Sequence, residues 1–337
     1  MIKEYFKEEL EETIDSILKY SEGPCLILNV ITDTHYNPHD ENNARRTRET
    51  YANLQALNEN VYTHGIVHMG DCTIHGVEKD GEITVHGVEP FTQEVSTRLI
   101  SQVRGWMLKA NKNVFMINGN HDGARGSVPL TSNYNSMATQ SMHLTVREGV
   151  NPYYYADFDF VKVRALFLST NTTEEEHVWG VSDRQLDWIK RTLLATPEDY
   201  SVLLFSHFST FEKDSFLTNR DELAELLNQF HNHIGEFAQK KGNCIAWCCG
   251  HEHFDWVVPG SFSGVDFPVI EITSSLMHGF KPDPSFGYVG YINPPRVDQT
   301  KNQDAWDTLI YRPDLNKLYM IRFGSGEDRS IDLSNWK

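Results

Sequence analysis

An apolar stripe opens the chain. Ile2, Phe6, Leu10, Ile14, Ile17 and Leu18 recur at helical spacing and stop before Gly23-Pro24, which predicts an amphipathic helix over residues 1–22. Packing on its own domain is the expected use of that stripe, with docking on a partner the other. From residue 25 onward, short β-rich apolar runs alternate with helical patterns. Strands are predicted at 25–32, 65–69 and 113–117, with helices at 47–58 and 91–108. Such β-α-β-α-β order implies parallel strands whose C-terminal ends share one side of a sheet.

Residues 123–151 are rich in Gly, Ser and Asn and read as a long inserted loop. Strands follow at 153–155 and 161–168, then a helix at 182–194 with Ser182 as N-cap. A strand at 201–205, a mainly helical run at 219–240 and strands at 244–248 and 269–272 continue the alternation. Residues 281–304 carry Pro and Tyr without periodicity and form a second inserted loop. The runs 308–311 and 317–323 flank Arg312-Pro313-Asp314-Leu315-Asn316, a C-terminal β-hairpin. His-Gly-Val-Glu occurs at 75–78 and again at 86–89, which predicts a small hairpin. Nothing marks a linker, so residues 23–337 are read as one domain behind the N-terminal helix.

Composition narrows the partners. The 337 residues include 30 Lys and Arg against 47 Asp and Glu, a net charge of −17. A field of that sign repels polyanions, so long nucleic acid is not an expected partner. A small phosphorylated substrate stays open, because bound metal ions reverse the field locally. No apolar run reaches membrane-spanning length, and Lys3-Glu4 and Glu8-Glu9 interrupt any signal-peptide core. A soluble, cytoplasmic protein is expected, with no membrane partner and an open oligomeric state. The five cysteines lack Cys-x-x-Cys spacing, and three of them crowd one apolar run at 244–249. They read as small hydrophobes in a reducing compartment.

Polar residues cluster directly after five of the strands. The blocks are Asp33-Thr34-His35, Gly70-Asp71, Gly119-Asn120-His121-Asp122, Ser206-His207 and Gly250-His251-Glu252-His253. Residues two apart in extended chain point the same way, so Asp33 with His35, and His251 with His253, can each aim two donors at one centre. His231 and His233 share that spacing but fall in a predicted helix, where they diverge, and are read as surface histidines. Each block alone is a common loop feature. Five in this order, each after a β-run, make a strong set. Mixed carboxylate, imidazole and amide donors suit Mn²⁺, Fe²⁺/Fe³⁺ or Zn²⁺.

These blocks resemble the calcineurin-like metallophosphoesterase superfamily, whose pattern runs Asp-x-His, Gly-Asp, Gly-Asn-His-Asp/Glu, His and Gly-His-x-His. The resemblance spans residues 25–275 and implies an α/β fold, a sandwich of two mixed β-sheets flanked by helices. It implies that Asp33, His35 and His253 hold one metal ion, that Asn120, His207 and His251 hold a second, and that Asp71 bridges both. His121 matches the family's catalytic histidine, with Asp122 orienting its imidazole through a hydrogen bond. The ending Ile321-Arg322-Phe323-Gly324-Ser325-Gly326-Glu327-Asp328 is similar to the tail of a subgroup common in bacteria and their phages. A phage-associated origin is therefore an expectation.

The chemistry implied is hydrolysis of a phosphate ester. Two divalent ions against two carboxylates leave a cationic pocket, acidify a bridging water to hydroxide and neutralise charge on phosphorus-bound oxygens. His121 would stabilise or protonate the leaving oxygen. Phosphoprotein phosphatases of the superfamily extend the second block to Gly-Asp-x-x-Asp-Arg-Gly and close the third with Glu. Here the second block reads Gly70-Asp71-Cys72-Thr73-Ile74-His75-Gly76 and the third ends in Asp122. Without the Arg that grips a dianion, a small phosphodiester is the expected substrate, as for the superfamily's cyclic-nucleotide and glycerophosphodiester phosphodiesterases. The alternative is a phosphomonoesterase, protein phosphatases included, with Arg45, Arg46 or Arg125 as replacement clamps. A nuclease ranks behind on charge, and a non-catalytic binding module behind on the intact donor set. His39 and His75 read as exposed loop histidines, Tyr288, Tyr291 and His278 as candidate pocket walls, and Trp179-Gly180 as packing.

Overall fold

Alternation along the first strand sorts the whole architecture. In β1 (Leu26–Ile31), Leu26, Leu28 and Val30 face one apolar cluster while Ile27 and Ile31 face another. The computed structural model describes residues 2–74, 78–79, 82–83, 93–122, 145–147, 151–172, 178–210, 217–275 and 288–336. The long helices among the described residues are α1 (Lys7–Tyr20), α2 (Glu41–Asn60), α3 (Gln93–Ala110), α4 (Asp183–Ala195) and α5 (Arg220–His231). After β1, the strands of the two large sheets are β2 (Gly65–His68), β3 (Val114–Met116), β4 (Thr145–Arg147), β5 (Tyr154–Phe158), β6 (Val163–Phe167) and β7 (Ser201–Phe205). They continue with β8 (Cys244–Cys249), β9 (Trp256–Val258), β10 (Val269–Glu271), β11 (Ala305–Arg312), β12 (Lys317–Gly324) and β13 (Arg329–Asp332).

Two mixed sheets result. The first runs β13-β12-β11-β1-β2-β3, with β1, β2 and β3 parallel and β11, β12 and β13 antiparallel. The second runs β9-β10-β8-β7-β6-β5-β4, with β6, β7, β8 and β10 parallel. Between the sheets, Leu28, Val30, Val67 and Phe115 of the first meet Phe167, Leu203, Phe205 and Ile270 of the second. The outer face of the first sheet is covered by α1, α2 and α3 through Ile17, Leu54, Leu57, Val103 and Met107. The outer face of the second is covered by α4 and α5 through Trp188, Ile189, Leu223, Leu227 and Phe230. Each such side chain, fully buried, contributes about 1.5–3 kcal/mol relative to exposure. The apolar stripe of α1 lies on the C-terminal hairpin: Phe6 meets Phe323, and Glu9 accepts the amide of Gly324 at 2.7 Å. Among the described residues, no helix is long and apolar enough to cross a membrane. All five cysteines are free, and four are buried.

Local polarity misled several boundaries. α2 begins at Glu41, not at 47, because Asp40 accepts the amide of Asn43 and starts a polar first turn. The expected helix over 219–240 ends at His231, and the chain turns through His233 (φ 56°) into the short turn Gly235–Phe237. His231 is accordingly not a surface histidine: it is buried with its ring 5.4 Å from Phe267. Residues 145–147 of the expected long loop form an edge strand, while 123–144 and 148–150 lie outside the described residues. The expected small hairpin shows as Glu78–Lys79 paired antiparallel with Glu82–Ile83, and the rest of the two echoes lies outside the described residues.

Candidate metal centre

The ends of β1, β2, β3, β7 and β8 bring all five donor blocks to one place. Alternation in extended chain does not achieve this. Asp33 (φ 53°), His35 (φ 42°), Asp71 (φ 49°), His251 (φ 82°) and His253 (φ 60°) all take left-handed backbone, which turns the chain sharply after each strand. For a non-glycine residue that conformation costs about 1–2 kcal/mol, so the surrounding packing must hold it. The glycines of the blocks make room for it. A Cβ on Gly119 would lie 2.2 Å from Asp71 Oδ1, and one on Gly250 would lie 2.2 Å from Thr32 Oγ1 and 2.5 Å from Asp33 Oδ2.

Each carboxylate is anchored by one oxygen and offers the other. Asp33 Oδ2 accepts from Thr32 Oγ1 (2.6 Å) and the His251 amide (3.0 Å), while Oδ1 faces His253 Nε2 at 3.1 Å. Asp71 Oδ1 accepts from the His121 amide at 2.7 Å. Its Oδ2 lies 3.3 Å from His207 Nε2, 3.7 Å from His35 Nε2 and 4.0 Å from His121 Nε2. Asn120 Oδ1 is 2.9 Å from His207 Nε2, and His35 Nε2 is 3.1 Å from His253 Nε2. Asp33, His35, Asp71, His207 and His253 are buried, whereas Asn120, His121 and His251 are half-buried at the rim.

Asp122 is fully buried and faces the backbone. Its carboxylate accepts from the Gly119 amide (2.9 Å), the Thr73 amide (3.0 Å) and Cys72 Sγ (2.9 Å), fastening the 119–122 turn to the loop after β2. Burial, with Asp71 beside it, pushes its pKa up to about 6.

Two buried carboxylates side by side demand positive charge. Burial opposes ionisation of Asp33, but His253 and His207 hold it well below the usual carboxylate range. Burial also opposes charge on His207, yet Asp71 and Asp33 outweigh it and raise its pKa to about 10. Burial and His207 together lower His251 to about 3. Three donor groups each lie with their atoms within 4.8 Å of one another: Asp33/His35/His253, His35/Asp71/His121 and Asp71/His207/His251. Buried carboxylate and imidazole donors at that spacing fit divalent metal ions.

The family model for calcineurin-like phosphoesterases matches residues 28–255, the span that carries all five blocks. The chain belongs to the calcineurin-like phosphoesterase family. Membership makes it a metal-dependent hydrolase of phosphate esters. No curated protein matches the chain. Among solved structures, it is similar to the protein TT1561 of Thermus thermophilus, at 9% identity and a TM-score of 0.43 over 74% of this chain and 89% of that one. It is likewise similar to the phosphopantetheinyl hydrolase of Mycobacterium tuberculosis, at 11% identity and a TM-score of 0.40 over 75% and 91%.

Residues outside the blocks fall differently than their sequence suggests. Arg45 and Arg46 both bind Asp298 (2.6 and 2.8 Å), and Arg45 also binds Glu49, so they pin the late segment to α2. Tyr288 and Tyr291 pack on Phe254, behind the His253 loop. His39 is exposed, and His75, Arg125 and His278 lie outside the described residues. Trp179 is not packed away. It is 41% exposed, stacks on Phe208 at 5.0 Å and stands edge-on to His251 at 6.2 Å. Spacing gives no hint of this, because a single Trp before a Gly looks the same in a core.

Proposed function

We propose that this phosphoesterase hydrolyses a small phosphodiester at a binuclear metal centre. The observation that carries the reading is the Oδ2 atom of Asp71, which faces His207 on one side and His35 on the other. Asp33, His35 and His253 would hold one ion, Asn120, His207 and His251 the other, with Asp71 shared between the two groups. Manganese, iron or zinc suits this donor set. When bound, the ions polarise the phosphoryl oxygens and lower the pKa of a coordinated water.

The chain's own residues orient and move protons. The anchored oxygens of Asp33 and Asp71 keep the free ones aimed inward. The 2.9 Å contact of His207 Nδ1 with the Met69 carbonyl makes Nδ1 the donor and leaves Nε2 to the centre. His121, with about a third of its side chain exposed, stands at the rim to pass a proton to the departing ester oxygen. Asp122 acts on it as a positioning residue, by holding the turn that carries it.

Two observations support the diester. The second block lacks the Asp-Arg pair, and Arg45 and Arg46 are engaged with Asp298. A diester carries one negative charge and asks for less cationic grip than a dianionic monoester. A net charge of −17 supports a small substrate over long nucleic acid. With the metal-loaded protein, kcat/KM is expected to be higher for bis(4-nitrophenyl) phosphate than for 4-nitrophenyl phosphate. The reverse order would establish a phosphomonoesterase instead.

A further inference from the structure

We propose that Trp179, backed by Phe208, is a stacking platform that selects phosphoesters bearing a planar ring such as a nucleobase. The proposal rests on the phosphodiesterase reading and names the ester group which that reading leaves open.

All seven tryptophans lie among the described residues, and Trp179 alone is exposed; Trp188, Trp247, Trp256 and Trp306 are buried to 4% or less. An indole left 41% in water gives up burial that the core would otherwise gain. Its position is set by the centre. Phe208 follows His207 directly, lies 4.9 Å from that ring and 4.2 Å from His251, and carries Trp179 stacked at 29°. The indole therefore borders the half of the donor set formed by Asp71, His207 and His251.

The backbone beneath it is fixed. Trp179 O accepts from the Thr218 amide at 2.8 Å, and the Gly180 amide donates to Thr170 O at 2.8 Å. Gly180 takes φ 115°, and a Cβ there would lie 2.5 Å from both Thr218 N and O, so the Thr218 backbone approaches too closely for any other residue. A platform already held needs little ordering when a ligand arrives. Stacking on an aromatic face suits any nucleobase, since each has a π-face, while the phosphate is drawn to the metal side. An alkyl ester offers no ring to the indole.

Equilibrium binding to the metal-loaded full chain tests this without turnover, using AMP and ribose 5-phosphate, which share the phosphate and sugar. AMP is expected to bind about tenfold more tightly or better. Trp179→Ala should remove the difference between the two ligands, and Trp179→Phe should keep part of it. Equal affinities in the unsubstituted protein, or a preference that survives Trp179→Ala, would overturn the platform. Either result would leave the diesterase reading standing, whereas a monoester preference in turnover beside an intact base preference would overturn only the diesterase reading.

Discussion

Arg322 donates from Nη2 to Asp255 Oδ1 at 2.7 Å, although β12 and the loop before β9 belong to different sheets. The same guanidinium holds Asp307 at 3.0 Å and the Ser325 carbonyl at 3.1 Å, and Arg329 joins from β13 at 2.6 Å from Asp307. Asp255 Oδ1 also accepts the Thr273 amide (3.2 Å), and Thr273 Oγ1 donates to the His253 carbonyl (2.8 Å). A C-terminal strand is thus three hydrogen bonds from His253, a candidate metal donor. The family match ends at residue 255, so Thr273, Asp307, Arg322 and Arg329 of this brace lie beyond it.

Arg322→Ala should destabilise the fold strongly. Arg322, Asp255 and Asp307 are nearly inaccessible, and burial is offset at Asp255 by Arg322 and Arg329, which lower its pKa. Removing the central cation leaves the two buried carboxylates sharing Arg329 alone, at a cost of about 3–5 kcal/mol. Urea unfolding measures it, and a loss below about 1 kcal/mol would mean that Arg329 and water together neutralise these carboxylates once Arg322 is gone.

Asp304 predicts a pH signature of the opposite sign to that of most carboxylates. Burial pushes its pKa up to about 6, against hydrogen bonds from Asn53 (2.8 Å) and Thr50 (2.9 Å). Between the unfolded value near 4 and about 6, the folded chain binds more protons than the unfolded one, so this group's contribution to stability falls as pH rises through that window. Asp304→Asn removes the titration. The stability of the unsubstituted protein relative to the variant should drop by about 2 kcal/mol between pH 4 and pH 7. A gap independent of pH would show that Asp304 stays charged in the fold throughout.

Local features were legible in the chain and long-range ones were not. Strand runs such as 25–32 and the polar blocks after them are written in consecutive residues, and the parallel order of β1, β2 and β3 follows from the helices between them. The neighbour of β1 on its other side is β11, where Leu28 pairs with Leu309, and no periodicity announces a contact across that distance. The convergence of Asp33 with His35 was legible as a pair, but its cause, left-handed backbone at both, was not, since Asp-Thr-His carries no glycine to signal it. Trp179 and Arg45 show the same limit. A residue's type does not tell whether its partner is a core, a loop or a ligand.

Asp71→Asn tests the shared carboxylate directly. Asparagine keeps an acceptor for the His121 amide but loses the charge that His207 and His35 flank. Metal analysis after reconstitution with Mn²⁺ should find about two ions per chain in the unsubstituted protein and about one or fewer in the variant. At most one ion in both would remove the binuclear reading.

His121→Ala separates proton transfer from metal binding. The His121 ring stands at the rim, 4.8 Å from His35 and edge-on to it, and its main-chain amide, which the substitution keeps, is what holds Asp71. Metal content should therefore stay nearly intact. Turnover should fall by about 10²–10⁴-fold on an alkyl ester, whose departing alkoxide needs a proton. On a nitrophenyl ester the loss should be much smaller, because nitrophenolate leaves without one. Steady-state kinetics on bis(4-nitrophenyl) phosphate and on an alkyl diester of matched size read the difference. Equal losses on both would assign His121 an electrostatic role in place of the general acid.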